Sequence, residues 1–314
     1  MGMKTRYAAV FPGQGAQFVG MGAELIGESP EAAKIFERAS DALGWDLGQL
    51  VLEGPEERLN LTEFTQPALL TLSVALWREF RGRYHEPPTF AAGLSLGEYS
   101  ALVAAEGIAL EDAVRLVHLR GRYMQEAVPA GVGGMAAILG LDAATLAEIC
   151  ADVSESDHLA TPANLNCPGQ VVVSGHLGAV EAVCERARES GARRAVLLPV
   201  SAPFHSDLME PARLRLAEAM ESVAFSEAKF PVISNARVRA STDPVEIKSA
   251  LLEQMISPVR WEESVRWILE AGVRDFLEVG PGKTLTGFLR RIDRDARGIH
   301  IGGPAEVRGA WEEL

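Results

Sequence analysis

The stretch Thr89-Phe-Ala-Ala-Gly-Leu-Ser-Leu-Gly-Glu-Tyr-Ser-Ala-Leu-Val-Ala-Ala105 changes character in its middle. Thr89 to Gly93 reads as a short buried strand, and Leu96 to Ala105 as an apolar helix, with a sharp turn between them. That turn, Gly93-Leu94-Ser95-Leu96-Gly97, fits the pattern G-x-S-x-G. Two glycines permit the tight bend, so the Ser95 oxygen would project from it. The first turn of the helix offers unpaired N–H groups to a developing oxyanion. The plainer reading is a glycine-rich turn in which Ser95 only caps the helix.

Outward from the turn, strand-like and amphipathic stretches alternate, which places the chain in the α/β class. Tyr7 to Phe11 reads as a buried strand stopped by Pro12-Gly13, and Ser29 as the cap of a helix from Pro30. Further helices are expected over Gln66–Phe80 and from Glu111 to about Ala127. Pro129-Ala-Gly-Val-Gly-Gly134 reads as a flexible joint. Beyond it come strands at Met135–Leu139, Leu159–Asn164, Gln170–Ser174 and Ala195–Val200, with helices at Ala143–Asp152 and Leu177–Ser190. That βαββαβ order is the pattern of a ferredoxin-like unit. The expected division is therefore a large domain of residues 1–128 and 200–314 with a small inserted domain, 129–199. In the second part of the large domain, Pro231–Asn235 and Arg274–Val279 read as strands and Val259–Ala271 as a helix.

The chain has 314 residues, 47% hydrophobic and 23% charged, ordinary values for a globular protein. Forty-three acidic residues against 30 basic ones give a net charge of −13, which argues against nucleic-acid binding. Three cysteines at unpaired spacings, Cys150, Cys167 and Cys184, suggest reduced thiols rather than a disulfide framework or a metal site. The N-terminus lacks the apolar core of a signal peptide. Met1-Gly2 opens like a myristoylation signal, but Arg6 stands where Ser or Thr is needed, and Met3 is an alternative start. The longest apolar run, near Ala68 to Trp77, is about half a membrane span. A cytoplasmic protein without membrane contact is expected.

A nucleophilic serine needs a base. Among His85, His118, His158, His176, His205 and His300, the one at 205 follows a predicted strand end and precedes a helix, where α/β sheets place site groups. Arg120 lies among apolar helix residues. It reads either as a snorkelling side chain or as a guanidinium fork for a carboxylate. The nucleotide patterns fail: Gly13-Gln-Gly15 has Phe18 at its third glycine position, and Gly280-Pro-Gly-Lys-Thr284 has Leu277 where a phosphate loop needs glycine.

Seven segments in order together resemble one family, the malonyl-CoA:acyl carrier protein transacylases, relatives of polyketide-synthase acyltransferase domains. They are Phe11–Gln17, Gly93–Ala101, Arg120–Val128, Asn164–Val172, Ala202–His205, Gln254–Trp261 and Glu278–Thr284. The resemblance implies an α/β-hydrolase-like domain with a ferredoxin-like insertion. It further implies Ser95 as nucleophile and His205 as base, in ping-pong transfer of malonyl from CoA to the carrier thiol. Gln14 and Leu96 would supply oxyanion N–H groups, and Arg120 would hold the malonyl carboxylate. The Gln254 carbonyl would orient His205 in place of a triad acid, for which Glu98 and Asp207 are candidates by proximity only. Asn164 would line the site. The resemblance implies no metal or cofactor. The substrates would be malonyl-CoA and phosphopantetheinylated acyl carrier protein, and the protein is taken as a monomer. The carrier would dock on basic residues at the cleft rim: Arg186, Arg188, Arg193 and Arg194, facing Lys283, Arg290 and Arg291. This chain has Leu94 where many members carry His, while Phe204 resembles malonyl-selective members. The alternatives are a serine thioesterase or esterase, which would transfer to water, and a non-catalytic carrier-binding protein.

Overall fold

A computed structural model describes residues 6–129, 131–156, 158–200 and 202–314; Met1-Gly2, Met3 and Ala130 of the expected joint lie outside them. Among the described residues the strands are β1 Tyr7–Phe11, β2 Phe90–Gly93, β3 Gly133–Leu139, β4 Ala160–Cys167, β5 Gln170–His176, β6 Arg194–Leu197, β7 Val232–Ile233, β8 Ala240–Ser241, β9 Asp275–Val279 and β10 Arg297–Ile301. They form two sheets, β10-β9-β1-β2-β7-β8 and β4-β5-β3-β6. The first is parallel apart from its last pair, β7–β8. The second is antiparallel throughout.

The central strand β1 is buried at every position, as a strand covered on both faces should be. It pairs with β2 so that Phe11 stands opposite Gly93, which brings the loop after β1 beside the serine turn. The helix Thr62–Arg83 carries the core behind this sheet, with Trp77 and Phe80 packed among Phe11, Tyr7 and Phe230. It begins a turn earlier than the sequence suggests. Pro67 favours a helix start, yet it sits inside the helix. Its missing N–H would free the Glu63 carbonyl, and His118 Nδ1 sits 2.8 Å from that oxygen. His118 therefore repairs a helix.

Two sets of contacts pin the small sheet over the large one. Asn164 on β4 bridges to Val259, with Leu165 N–H donating to the Val259 carbonyl at 2.9 Å. Arg291 donates to the Pro168 carbonyl and to Gln170 Oε1 at 2.7 and 2.8 Å. Arg291 is thus a latch between the sheets. The glycine run 280–282 is likewise structural: the buried Glu278 carboxylate accepts from the Leu285 and Thr286 N–H groups, where a phosphate loop would hold phosphate.

Candidate active site

Ser95 sits at the turn between β2 and the helix Gly97–Ala104, at a φ of 52°. A non-glycine residue in the left-handed region costs roughly 1 kcal/mol or more and persists only where its surroundings impose it. Here they do. A Cβ on Gly93 would fall 1.8 Å from the Gly97 carbonyl carbon, and one on Gly97 would fall 2.1 Å from the Phe11 carbonyl oxygen. The turn is further clamped by Asn235, which accepts from the Ser95 N–H at 2.7 Å and donates to the Gly93 carbonyl at 2.8 Å. Asn235 was not legible in the sequence, because it lies in a loop after the two-residue strand β7.

His205 Nε2 lies 2.8 Å from Ser95 Oγ. The sequence placed His205 beside the end of a strand reaching Val200, but β6 stops at Leu197 and belongs to the antiparallel sheet. The residue is instead held in a separate turn, itself at a φ of 59°, just before a short 3₁₀ turn at Asp207–Met209. Its Nδ1 donates to the Gln254 carbonyl at 2.8 Å. Gln254 is the last residue of the helix Pro244–Gln254, so that carbonyl is one of the acceptors a helix end leaves unpaired. It fixes the imidazole tautomer, leaving Nε2 as the acceptor facing Ser95. Neither suggested acid takes that place: Asp207 is exposed, and Glu98 bonds to Asn235 and Gln254.

Burial and the nearby Arg120 cation push the His205 imidazole down to about 4, while its bond to the Gln254 carbonyl works the other way. The sign matters. A depressed value leaves the ring neutral, and so a competent base, at every pH above about 4. We therefore expect histidine-selective NMR of the free protein to show His205 titrating near pH 4; a midpoint near 6.5 would contradict this environment. An anion on Arg120 would remove one of the two causes and make the ring more basic.

Arg120 is 1% exposed, so it does not snorkel. Nη1 donates to Gln66 Oε1 at 2.9 Å, and Nη2 to Gln254 Oε1 at 2.9 Å and Ser95 Oγ at 3.1 Å. The guanidinium also lies 5.4 Å from the Tyr99 ring centre. These partners are all neutral, and Nε has no acceptor among the described residues. A buried cation bonded only to uncharged groups, with a donor to spare, has the chemistry to take an anion.

Gln14, Ser95, Leu96, Arg120, Asn164 and His205 all line one cavity of about 310 Å³. Met124, Met135, Val172, Leu198, Val200 and Phe204 give it apolar walls, and Leu94 adds to them. The Gln14 and Leu96 N–H groups have no acceptor among the described residues. Asn166, missed in the sequence, lines the same cavity with a buried, unpartnered Oδ1. His85, His158, His176 and His300 lie elsewhere. Among the described residues, no cluster of three His, Cys, Asp or Glu side chains could hold a metal. The three cysteines are free and buried, and among the described residues no helix is long and apolar enough to cross a membrane.

The serine turn, with the His205 imidazole in hydrogen-bond reach, sits at the centre of a mixed α/β protein. The acyl transferase domain model matches residues 9–304, and the chain belongs to that family. It is 48% identical to the malonyl CoA-acyl carrier protein transacylase of Salmonella typhimurium, over 98% of this chain and 99% of that one. It is 46% identical to the Bacillus subtilis protein of the same name, over 99% and 98%. The malonyl CoA-acyl carrier protein transacylase structure from Coxiella burnetii superposes with a TM-score of 0.97 at 43% identity, covering 99% and 98%. A malonyl-transacylase solved in complex with its type II acyl-carrier protein superposes with a TM-score of 0.96 at 44% identity, covering 99% and 100%.

Proposed function

We propose that this chain is an acyl-carrier-protein S-malonyltransferase working through a malonyl-serine intermediate. The observation that carries the mechanism is the position of Ser95 Oγ, between His205 Nε2 and Arg120 Nη2. His205 takes the Ser95 proton as Oγ attacks the thioester carbonyl of malonyl-CoA. The Gln14 and Leu96 N–H groups receive the oxyanion. The C–S bond then breaks, and His205 returns the proton to the departing CoA sulfur. In the second half the carrier's pantetheine thiol gives its proton to His205 and attacks the ester carbonyl; the C–O bond then breaks and His205 returns the proton to Ser95 Oγ. Arg120 turns from Ser95 Oγ to the malonyl carboxylate, and Asn164 lines the acyl pocket. No metal or cofactor enters these steps.

The reading extends to architecture. Residues 1–128 and 200–314 form an α/β-hydrolase-like unit, and 129–199 an inserted ferredoxin-like one. The order βαββαβ and the strand order β4-β5-β3-β6 support this. The protein acts as a cytoplasmic monomer.

Carrier and enzyme need a local basic patch, because this chain is acidic overall. Of the candidate residues, Arg186 pairs with Glu189, Arg188 donates to the Ala195 carbonyl, and Arg291 is the latch described above. Arg193, Arg194, Lys283 and Arg290 are exposed and make the cleaner test. Reversing their charges should raise KM for the carrier steeply at low salt and leave malonyl-CoA kinetics unchanged. Salt-independent carrier kinetics would count against this rim.

The function itself is tested by stopped-flow release of CoA with and without a pantetheine thiol. A burst of one CoA per chain, followed by turnover that depends on thiol, is expected. Turnover to free malonate at the same rate without thiol would make the protein a thioesterase. Absence of a burst would make it a non-catalytic carrier-binding protein.

A further inference from the structure

Glu98 is a carboxylate for which the mechanism above has no use, yet it is 3% exposed and sits one helical turn beyond Ser95. Its Oε2 accepts from the Gln254 side-chain amide at 2.7 Å and from the Asn235 N–H at 3.0 Å. Gln254 meets the site in three places. Nε2 also donates to the Ser95 carbonyl at 3.1 Å, Oε1 accepts from Arg120 at 2.9 Å, and the backbone carbonyl of the same residue accepts from His205. An amide can be reversed end for end, and reversal here would turn NH₂ toward a guanidinium that can only donate. Something must forbid it, and a carboxylate behind Nε2 does.

We propose that Glu98 is a positioning residue that locks the Gln254 amide, and through it sets the Arg120 guanidinium against Ser95. This rests on the transacylase reading above and adds to it a residue that sets acyl selectivity from outside the pocket. The role belongs to the acceptor oxygen rather than to the charge. Burial pushes the Glu98 carboxyl up to about 7, with the Asn235 and Gln254 donors and the Arg120 and Arg237 cations pulling the other way. Either protonation state can keep Oε2 as an acceptor.

The test is a double-mutant cycle read as acylation rate with malonyl-CoA and with acetyl-CoA. Glu98→Ala should slow acylation by both thioesters about 10- to 100-fold, the scale of a misplaced catalytic group, and lower the malonyl-over-acetyl ratio as well. Glu98→Gln keeps an acceptor in place and should restore both rate and ratio. Gln254→Ala retains the carbonyl that holds His205 but loses the amide. In that background Glu98→Ala should cost little more, because the path is already cut. Where the alanine chain does not fold, Glu98→Asp replaces it, since the shortened side chain withdraws the acceptor while keeping the charge. Independent, multiplying effects of the two substitutions would overturn the proposal, as would an unchanged ratio in Glu98→Ala or Glu98→Asp. A wild-type chain that malonyl-CoA does not acylate would remove the reading on which it rests.

Discussion

His205→Ala should cut acylation of Ser95 by ~10²–10⁴-fold, the loss that follows removal of a general base. The geometry leaves no substitute. Among the described residues, Ser95 Oγ has two side-chain hydrogen-bond partners, His205 Nε2 and Arg120 Nη2, and a guanidinium cannot accept a proton. Since the imidazole is neutral above about pH 4, the loss should hold across the whole neutral range rather than only above 6.5. His118→Ala is the control. It takes away a partner of the Glu63 carbonyl and should weaken the helix Thr62–Arg83 while leaving acylation close to normal. Single-turnover CoA release by the three proteins measures the comparison. Near-normal acylation in His205→Ala would remove that residue from the mechanism.

Arg120→Ala should lower kcat/KM for malonyl-CoA by at least ~10-fold and leave acetyl-CoA accepted equally well or better. Malonyl differs from acetyl by one carboxylate, which must leave water to enter the cleft. A bidentate guanidinium returns roughly 1.5–3 kcal/mol through charge-assisted bonds. Acetyl offers nothing to the buried cation, so the site discriminates from both sides. The groups bonded to it, Gln66, Gln254 and Ser95, are all neutral, and Nε is without an acceptor among the described residues. Arg120→Lys should recover only part of the effect, because an ammonium cannot reproduce the planar fork. Measuring kcat/KM for both thioesters in the three proteins decides it. A malonyl preference retained by Arg120→Ala would reduce the arginine to a helix residue.

Local chemistry carried much of the site into the sequence. Gly93 and Gly97 had to be glycine for backbone reasons, so the serine turn was legible with its flanking strand and helix. Ser29 caps its helix as its spacing suggested, its Oγ accepting from Ala32 N–H at 3.1 Å. The long-range half was not legible. Asn235 and Gln66 reach the site across more than fifty residues of chain, and no local period announces an amide that clamps a turn. His205 was chosen for a strand end that proved to be several residues away, in the other sheet. The helix expected from Gln66 starts at Thr62, and the partner that lets it run through Pro67, His118, comes from a different helix. For Arg120 the sequence left a solvated side chain open, and burial excludes it.

The central claim is that Ser95 carries the malonyl group between thioester and thiol. Intact-protein mass spectrometry after brief exposure to malonyl-CoA tests it most directly. One malonyl group should be gained per chain, located on Ser95 by peptide mapping, discharged by a pantetheine thiol and absent from Ser95→Ala. A malonyl adduct that persists in Ser95→Ala, or a wild-type chain that gains none while releasing CoA, would contradict the account.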